Sequence, residues 1–148
     1  MRSTGKRLTT AALLAVATTL GSVLFAAPAS ATGGPYCGDG GYTKRWLWER
    51  PGGNNIGQAC YWDSGNRINV DDQEADDHSL VLRLRNPRTG VSWTYWNTTG
   101  ASGPGQTGTV TQFPDNIIVE GQLCLGEWSE TNPRVLERTC RAWSSVRL

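Results

Sequence analysis

Apolar and polar residues alternate most regularly in residues 79–97. Leucines at every second position lie on one side of an extended chain, and valine and arginine lie on the other. The Asn-Pro-Arg-Thr-Gly sequence of residues 86–90 is typical of a tight four-residue turn. The segment therefore predicts a β-hairpin in which Asn86 lies opposite Val91.

This hairpin register also predicts which aromatic residues face the leucines. Leu82 lies opposite Tyr95 and Leu84 opposite Trp93, so we expect both aromatic rings in the core. Trp96 has the other parity and points away from the leucines. A register shifted by one residue would instead place the two core aromatics beside the arginines.

The same two-residue period recurs in shorter segments separated by turns rich in glycine, proline and asparagine. No long segment has the period of a helix. The pattern predicts an all-β fold, namely a small antiparallel β-sandwich or barrel-like domain. Further strands are expected over residues 42–49, 58–62, 67–70, 109–113, 117–128 and 135–143.

Residues 1–31 have the three parts of a secretory signal peptide: a basic start, an apolar run and a final Ala-Ser-Ala. We expect cleavage after Ala31 and release from the cell, because no basic stop-transfer flank follows the apolar run. Residues 32–41, rich in glycine, are expected to form an N-terminal strap. Residues 42–148 are expected to form a single β domain.

Removal of the leader changes the charge of the chain. Three of its 14 basic residues lie in the leader, which leaves 11 basic against 13 acidic side chains and a net charge of about −2. Nucleic acids and anionic membranes bind clustered basic side chains. We therefore expect neither as a partner, and we expect the mature chain to be a monomer.

Four cysteines, an even number in an exported chain, predict two disulfides. Three pairings are possible. The pairs Cys37–Cys60 and Cys124–Cys140 are favoured because the second would close a hairpin. A zinc site is not indicated, since the chain has no Cys-x-x-Cys spacing and only one histidine.

Continuous pairing around Cys124 and Cys140 would also fix the register of that hairpin. It would place Trp128 opposite Leu136 and Gln122 opposite Ala142. The predicted bridge would lock this hairpin.

An acidic run could supply oxygen ligands to Ca²⁺, although its spacing does not match an EF-hand loop. The alternative is a solvated loop, and we expect no other cofactor. His78 beside it could act as a general base, but no nucleophile motif accompanies it. The run consists of Asp71, Asp72, Glu74, Asp76 and Asp77.

All seven tryptophans lie between residues 46 and 143. Tryptophans either fill a core or present flat faces that stack on sugars and protein partners. Trp46 and Trp48 have charged neighbours on both sides, and Trp96 points away from the leucines. We therefore expect these three to be exposed and to bind a ligand.

These observations favour a secreted, non-catalytic binding domain that recognises a glycan or an extracellular protein. The layout of a leader and two local disulfides around hairpins resembles that of small extracellular inhibitors of amylases and proteases, in architecture only. Inhibition through residues 86–90 or 129–133 is therefore the alternative. A hydrolase with paired carboxylates, such as Glu120 and Asp115, is the least favoured interpretation.

Overall fold

The computed structural model of the protein describes residues 36–148, so the predicted signal peptide and the first residues of the strap lie outside the described part. Two 3₁₀ helices span Cys37–Asp39 and Glu137–Thr139. Within residues 36–148 no helix has the length and apolarity needed to cross a membrane. The strands are β1 (Lys44–Glu49), β2 (Asn55–Trp62), β3 (Arg67–Asp72), β4 (Ser79–Arg85), β5 (Ser92–Trp96), β6 (Gln106–Thr109), β7 (Ile118–Glu127), β8 (Arg134–Val135) and β9 (Ser144–Arg147).

The strands form two antiparallel sheets. Sheet A has the order β1-β2-β3-β6, and sheet B has the order β5-β4-β7-β8, with β9 also paired to β7. The two sheets pack face to face, as in a sandwich, with one layer of apolar side chains between them. The predicted all-β class is therefore confirmed.

The core consists of the inward-facing residues of both sheets. The alternate leucines of β4 are fully buried, as their spacing predicts. Sheet A, β7, β9 and the segment after β6 supply most of the rest of the buried apolar layer. Its members include Tyr61, Ile68, Val70, Val119, Leu123 and Leu125.

The predicted β4–β5 hairpin forms in the predicted register. The Asn86 N–H donates to the Val91 carbonyl (2.8 Å), and the Asn86 carbonyl accepts the Gly90 N–H (2.9 Å). Tyr95 lies opposite Leu82 and packs against the core. The turn residues and the alternation of the leucines thus predicted both the turn and the pairing.

The expectation that Trp93 lies in the core is wrong. Trp93 lies on the same face of β5 as Tyr95, yet the residue is 47% exposed to solvent. Strand β6, the edge strand of sheet A next to β5, ends at Thr109. The next residue, Val110, donates its N–H to the Asn66 carbonyl (2.7 Å). Because the chain turns there and does not continue along β5, no strand of sheet A covers the Trp93 ring.

Strand β6 also begins earlier than expected, at Gln106 and not at Thr109. The approach of this segment to β3 depends on Gly105, whose φ is +85°. A Cβ there would lie 2.7 Å from the Val70 carbonyl oxygen. Glycine therefore allows a polar loop to pass close enough to β3 to pair with it.

Both predicted disulfides are present, one on the outer face of each sheet. The Cα atoms are 5.5 Å apart in Cys37–Cys60 and 4.0 Å apart in Cys124–Cys140. The first bridge packs with Trp62 and Tyr42 in a small cluster outside the main core. In the chain-entropy model, closing loops of this size stabilises a fold by about 3 kcal/mol each.

The predicted continuous strand over residues 135–143 does not form. Gly126 pairs with Val135 and Gly121 pairs with Ser144. Between these two pairs β7 advances by five residues, whereas the returning segment advances by nine. The 3₁₀ helix Glu137–Thr139 takes up the extra residues, and Thr139 Oγ1 accepts the Leu125 N–H (2.8 Å).

The predicted opposition of Trp128 to Leu136 is therefore wrong, because Leu136 N–H donates to the Leu125 carbonyl (2.9 Å). The pairing of Gln122 with Ala142 is also replaced. The Gln122 side-chain N–H donates to the Arg141 carbonyl (2.6 Å).

Candidate functional site

An open cleft lies between the edge strands β5 and β6, at one side of the sandwich. It has a volume of about 850 Å³. Ile68 and Val70 contribute apolar surface from sheet A, and four aromatic residues contribute from sheet B and the turn after β7. We call this feature the β5–β6 cleft. Its aromatic residues are Trp93, Tyr95, Trp96 and Trp128.

Tyr95 connects the two edges of the cleft. Its hydroxyl lies 2.7 Å from Gln112 Oε1 and 3.4 Å from the Thr109 carbonyl oxygen. Its ring lies close to Gly108 in β6, where a Cβ would be 3.7 Å from it. Burial raises the pKa of Tyr95 far above its usual value, so the phenol stays protonated and remains a donor. The tyrosine thus holds the two edge strands together.

Two tryptophans of the cleft are available to a ligand. Trp93 is 47% exposed and Trp128 is 42% exposed. Trp128 lies beside Trp96, with ring centroids 5.5 Å apart and planes inclined by 52°. Trp96 in turn packs over Gly126, where a Cβ would lie 2.5 Å from the indole. Glycine at this position therefore lets the supporting indole lie flat on the sheet.

The rest of the cleft lining is polar but uncharged. It contains five threonines and the amides of Gln106 and Gln112, and no charged side chain lines it. Gln106 Oε1 accepts both the N–H and the hydroxyl of Thr98 (3.0 and 2.6 Å), which orders the end of the cleft. Hydroxyl and amide groups beside aromatic faces suit a neutral ligand that carries many hydroxyls.

Two of the three tryptophans predicted to bind a ligand are buried, so the expectation of their exposure is wrong. Trp46 is 5% exposed and Trp48 is 8% exposed. Trp46 packs against Gly121 of β7, and the Trp48 indole N–H donates to the Thr139 carbonyl (2.8 Å). The charged residues next to them in the sequence either point to the other face of β1 or lie at its ends. They therefore do not prevent the two indoles from being buried.

Trp96, the third predicted residue, is partly buried and lines the β5–β6 cleft. The sequence interpretation missed the two most exposed indoles, Trp93 and Trp128. One signal was available: residues 98–108 are polar and small, so they offer little apolar cover to the neighbouring hairpin.

The acidic run does not gather into a metal site. Arg50 pairs with Glu74 (2.6 Å) and Asp76 (3.5 Å), and Asp77 points into solvent at a positive φ. Across residues 36–148, no three carboxylate, histidine or cysteine side chains converge to hold a metal ion. The calcium hypothesis for Asp71, Asp72, Glu74, Asp76 and Asp77 therefore has no geometric support.

Asp72 is nevertheless unusual within the run, because it is buried. Its Oδ1 accepts the Glu74 N–H (3.2 Å). Burial raises the pKa of the Asp72 carboxyl, and the charges of Asp76 and Asp71 add to the increase, while the Glu74 hydrogen bond opposes it. Ionisation of Asp72 is therefore less favourable in the folded chain than for a carboxyl group in water.

Of the carboxylates considered for hydrolysis, Glu120 lies in β7 and Asp115 in the turn before it. Glu120 accepts a hydrogen bond from Arg85 Nε (2.8 Å) in sheet B, whereas Asp115 accepts one from Asn66 Nδ2 (2.9 Å) beside sheet A. His78 is partly buried next to Asp76, whose carboxylate accepts the His78 backbone N–H (3.2 Å).

Comparison with known proteins yields no assignment. No protein family matches the chain, and no curated protein or solved structure matches it either.

Proposed function

We propose that this protein is a secreted, non-catalytic binding domain that recognises a neutral glycan in the β5–β6 cleft. The observation that carries the proposal is the pair of exposed indoles, Trp93 and Trp128, in a cleft without charged lining. The two disulfides and the N-terminal leader sequence support an extracellular location.

The stacking of sugar rings explains why large indole faces remain exposed to solvent. A sugar ring presents C–H groups on one face, which pack against an indole, while its hydroxyls point outward. Threonine hydroxyls and the Gln112 amide lie within the same cleft and can exchange hydrogen bonds with those hydroxyls. Apolar and polar recognition are thus combined at one site.

The uncharged lining favours a neutral glycan over an acidic one. Carboxylated or sulfated sugars are usually held by arginine or lysine through charge-assisted hydrogen bonds. Neither residue type lines the cleft. The strand β5 is five residues long, about 16 Å, so a short oligosaccharide fits along it.

The test is co-sedimentation of the secreted protein with insoluble neutral polysaccharides, namely cellulose, chitin, xylan and starch granules. Trp93→Ala is expected to weaken binding by about tenfold, because it removes a stacking face. Trp143→Ala is the matched control, since this indole lies outside the cleft beneath Arg85, 4.0 Å from its guanidinium. Equal binding by the two variants, or no binding to any polysaccharide, would contradict the proposal.

Inhibition of an extracellular hydrolase is a second candidate, supported by the order of the hairpin tip. Asn86 Oδ1 accepts the N–H groups of Arg88 (2.9 Å) and Thr89 (3.3 Å), so the exposed turn is preorganised. Arg88 at this tip would be the residue presented to an enzyme cleft. If the wild type inhibits secreted amylases or proteases and Arg88→Ala does not, this candidate replaces the first.

A further inference from the structure

A second cavity, on the outer face of sheet A, is built differently from the β5–β6 cleft. It has a volume of about 530 Å³ and lies between the strap, the outer face of β2 and β3, and the loop before β6. Tyr36 and Asp39 line it from the strap, and Gly103 and Pro104 line it from the loop. We call it the strap cavity.

Buried groups hold both walls of the strap cavity in place. The Cys37–Cys60 disulfide ties the strap to β2. The fully buried Asn69 accepts the Cys37 N–H on Oδ1 (3.3 Å) and donates from Nδ2 to the Pro104 carbonyl (3.2 Å). One buried amide thus bridges the strap and the loop, so the cavity has a defined shape.

The polar groups that line this cavity are mostly acceptors. Asp39, Asp71 and Asp72 contribute carboxylates. Gln58 and Gln73 each donate a side-chain N–H to Asp71 Oδ2, both at 2.9 Å, which orients that carboxylate. Gln73 Oε1 accepts the Asn55 Nδ2–H (3.1 Å), so the Gln58 oxygen is the amide acceptor that remains.

Gln58 provides an independent sign that a donor is missing. The residue is only 5% exposed, and its Oε1 is buried without a hydrogen-bond partner. A buried carbonyl oxygen without a donor is less favourable than one that accepts a hydrogen bond. A ligand that brings N–H groups into the cavity would recover this energy.

The negative charge of the cavity also lacks a partner. Elsewhere on the described surface, Glu74 pairs with Arg50, Glu120 with Arg85 and Glu137 with Arg83. Within residues 36–148, none of the three cavity carboxylates has a lysine or arginine within 4.0 Å. The strap cavity therefore combines uncompensated charge with a buried acceptor.

From the carboxylates and the unpartnered Gln58 oxygen, we infer that the strap cavity binds the guanidinium or ammonium group of an arginine or lysine side chain from a polypeptide partner. Such a cation supplies several N–H donors together with the compensating charge. A metal ion fits less well, because one Asp71 oxygen already accepts two amide N–H groups and no three metal-ligating side chains converge in the described part of the chain. This site is separate from the β5–β6 cleft.

Isothermal titration calorimetry with the secreted protein tests the inference. The probes are N-acetyl-argininamide, N-acetyl-lysinamide and the neutral isostere N-acetyl-citrullinamide, each at low and high NaCl concentration. We expect the two cations to bind, the isostere to bind at least about tenfold more weakly, and high salt to weaken the cations severalfold. A separate titration uses CaCl₂ alone.

Two charge-matched variants locate the site. Asp71→Asn removes one charge inside the cavity, and Asp77→Asn removes one charge from an exposed residue outside it. We expect about a tenfold loss of argininamide affinity in the first variant and less than twofold in the second. Gln58→Met, which removes the acceptor without changing the charge, is expected to weaken binding severalfold. Thermal melting verifies that each variant is folded.

The inference is overturned by equal binding of argininamide and citrullinamide, by equal effects of Asp71→Asn and Asp77→Asn, or by binding of Ca²⁺ without binding of either organic cation. Because Trp93→Ala leaves the strap cavity intact, it should bind argininamide like the wild type. Failure of glycan binding and failure of cation binding can therefore be distinguished.

Discussion

On the β1 side of the sandwich, Trp46 and Trp48 are buried, whereas on the β5–β6 side Trp93 and Trp128 remain exposed. On the first side, β7 presents Gly121, which leaves room for the Trp46 ring. On the second side, Tyr95 is the main contact between the edge strands, through Thr109 and Gly108. The cover from the opposing sheet, and not the local alternation, therefore determines whether an indole is buried or exposed.

The largest expected effect comes from removing one indole on each side. Trp46→Ala should lower the free energy of unfolding by about 3–5 kcal/mol, because it leaves a large cavity in the core. Trp93→Ala should lower it by less than about 1 kcal/mol, because nearly half of that side chain is already in water. Urea denaturation of both variants measures the difference, and similar losses would mean that the β5–β6 side is closed in solution.

A smaller effect should come from adding a methyl group on each side. Gly121→Ala places a Cβ 2.5 Å from the Trp46 ring and should destabilise the fold by about 1–3 kcal/mol. Gly108→Ala is the control, because its Cβ would make ordinary contacts at 3.5 Å with Ile68 and 3.7 Å with Tyr95. Thermal melting of the two variants compares them. A greater loss in Gly108→Ala would contradict the open arrangement of β5 and β6.

Local features explain what the sequence could predict. The alternate leucines and the Asn-Pro-Arg-Thr-Gly turn act within a few residues of each other, and they predicted the β4–β5 register correctly. The favoured disulfide pairing, which is present, was based on a hairpin that would bring Cys124 and Cys140 together. Each of these inferences depended on neighbours close in sequence.

Long-range packing explains what the sequence could not predict. The cover of Trp46 comes from Gly121, and the lack of cover over Trp93 comes from the early end of β6 at Thr109. Neither relation is visible in the residues around each tryptophan, since both depend on how sheet A lies on sheet B. The sequence could therefore predict that a site would be aromatic, but it could not predict that the site lies between β5 and β6.

The smallest expected effect is a pH dependence that distinguishes the interior of the sandwich from the wall of the cleft. Burial, with the charges of Asp63 and Asp115 adding to it, raises the pKa of Tyr61 to about 12, and burial also raises the pKa of Tyr95. The folded chain therefore keeps protons that the unfolded chain releases above its pKa of about 10. The free energy of unfolding should fall as the pH rises above 10, by at most the slope of one proton for each tyrosine.

Tyr95→Phe should reduce the slope with which the free energy of unfolding decreases above pH 10. Trp93→Phe changes the same cleft without removing an ionisable group, so it should have the slope of the wild type. Urea denaturation at pH values from 9 to about 11 measures each slope. Tyr95 provides the sharper test of the two tyrosines because it forms the wall beneath the exposed indoles. If Tyr95→Phe and the wild type show the same slope, water reaches the Tyr95 hydroxyl, and the cleft extends further between the sheets than the contacts of Tyr95 with Thr109 and Gln112 indicate.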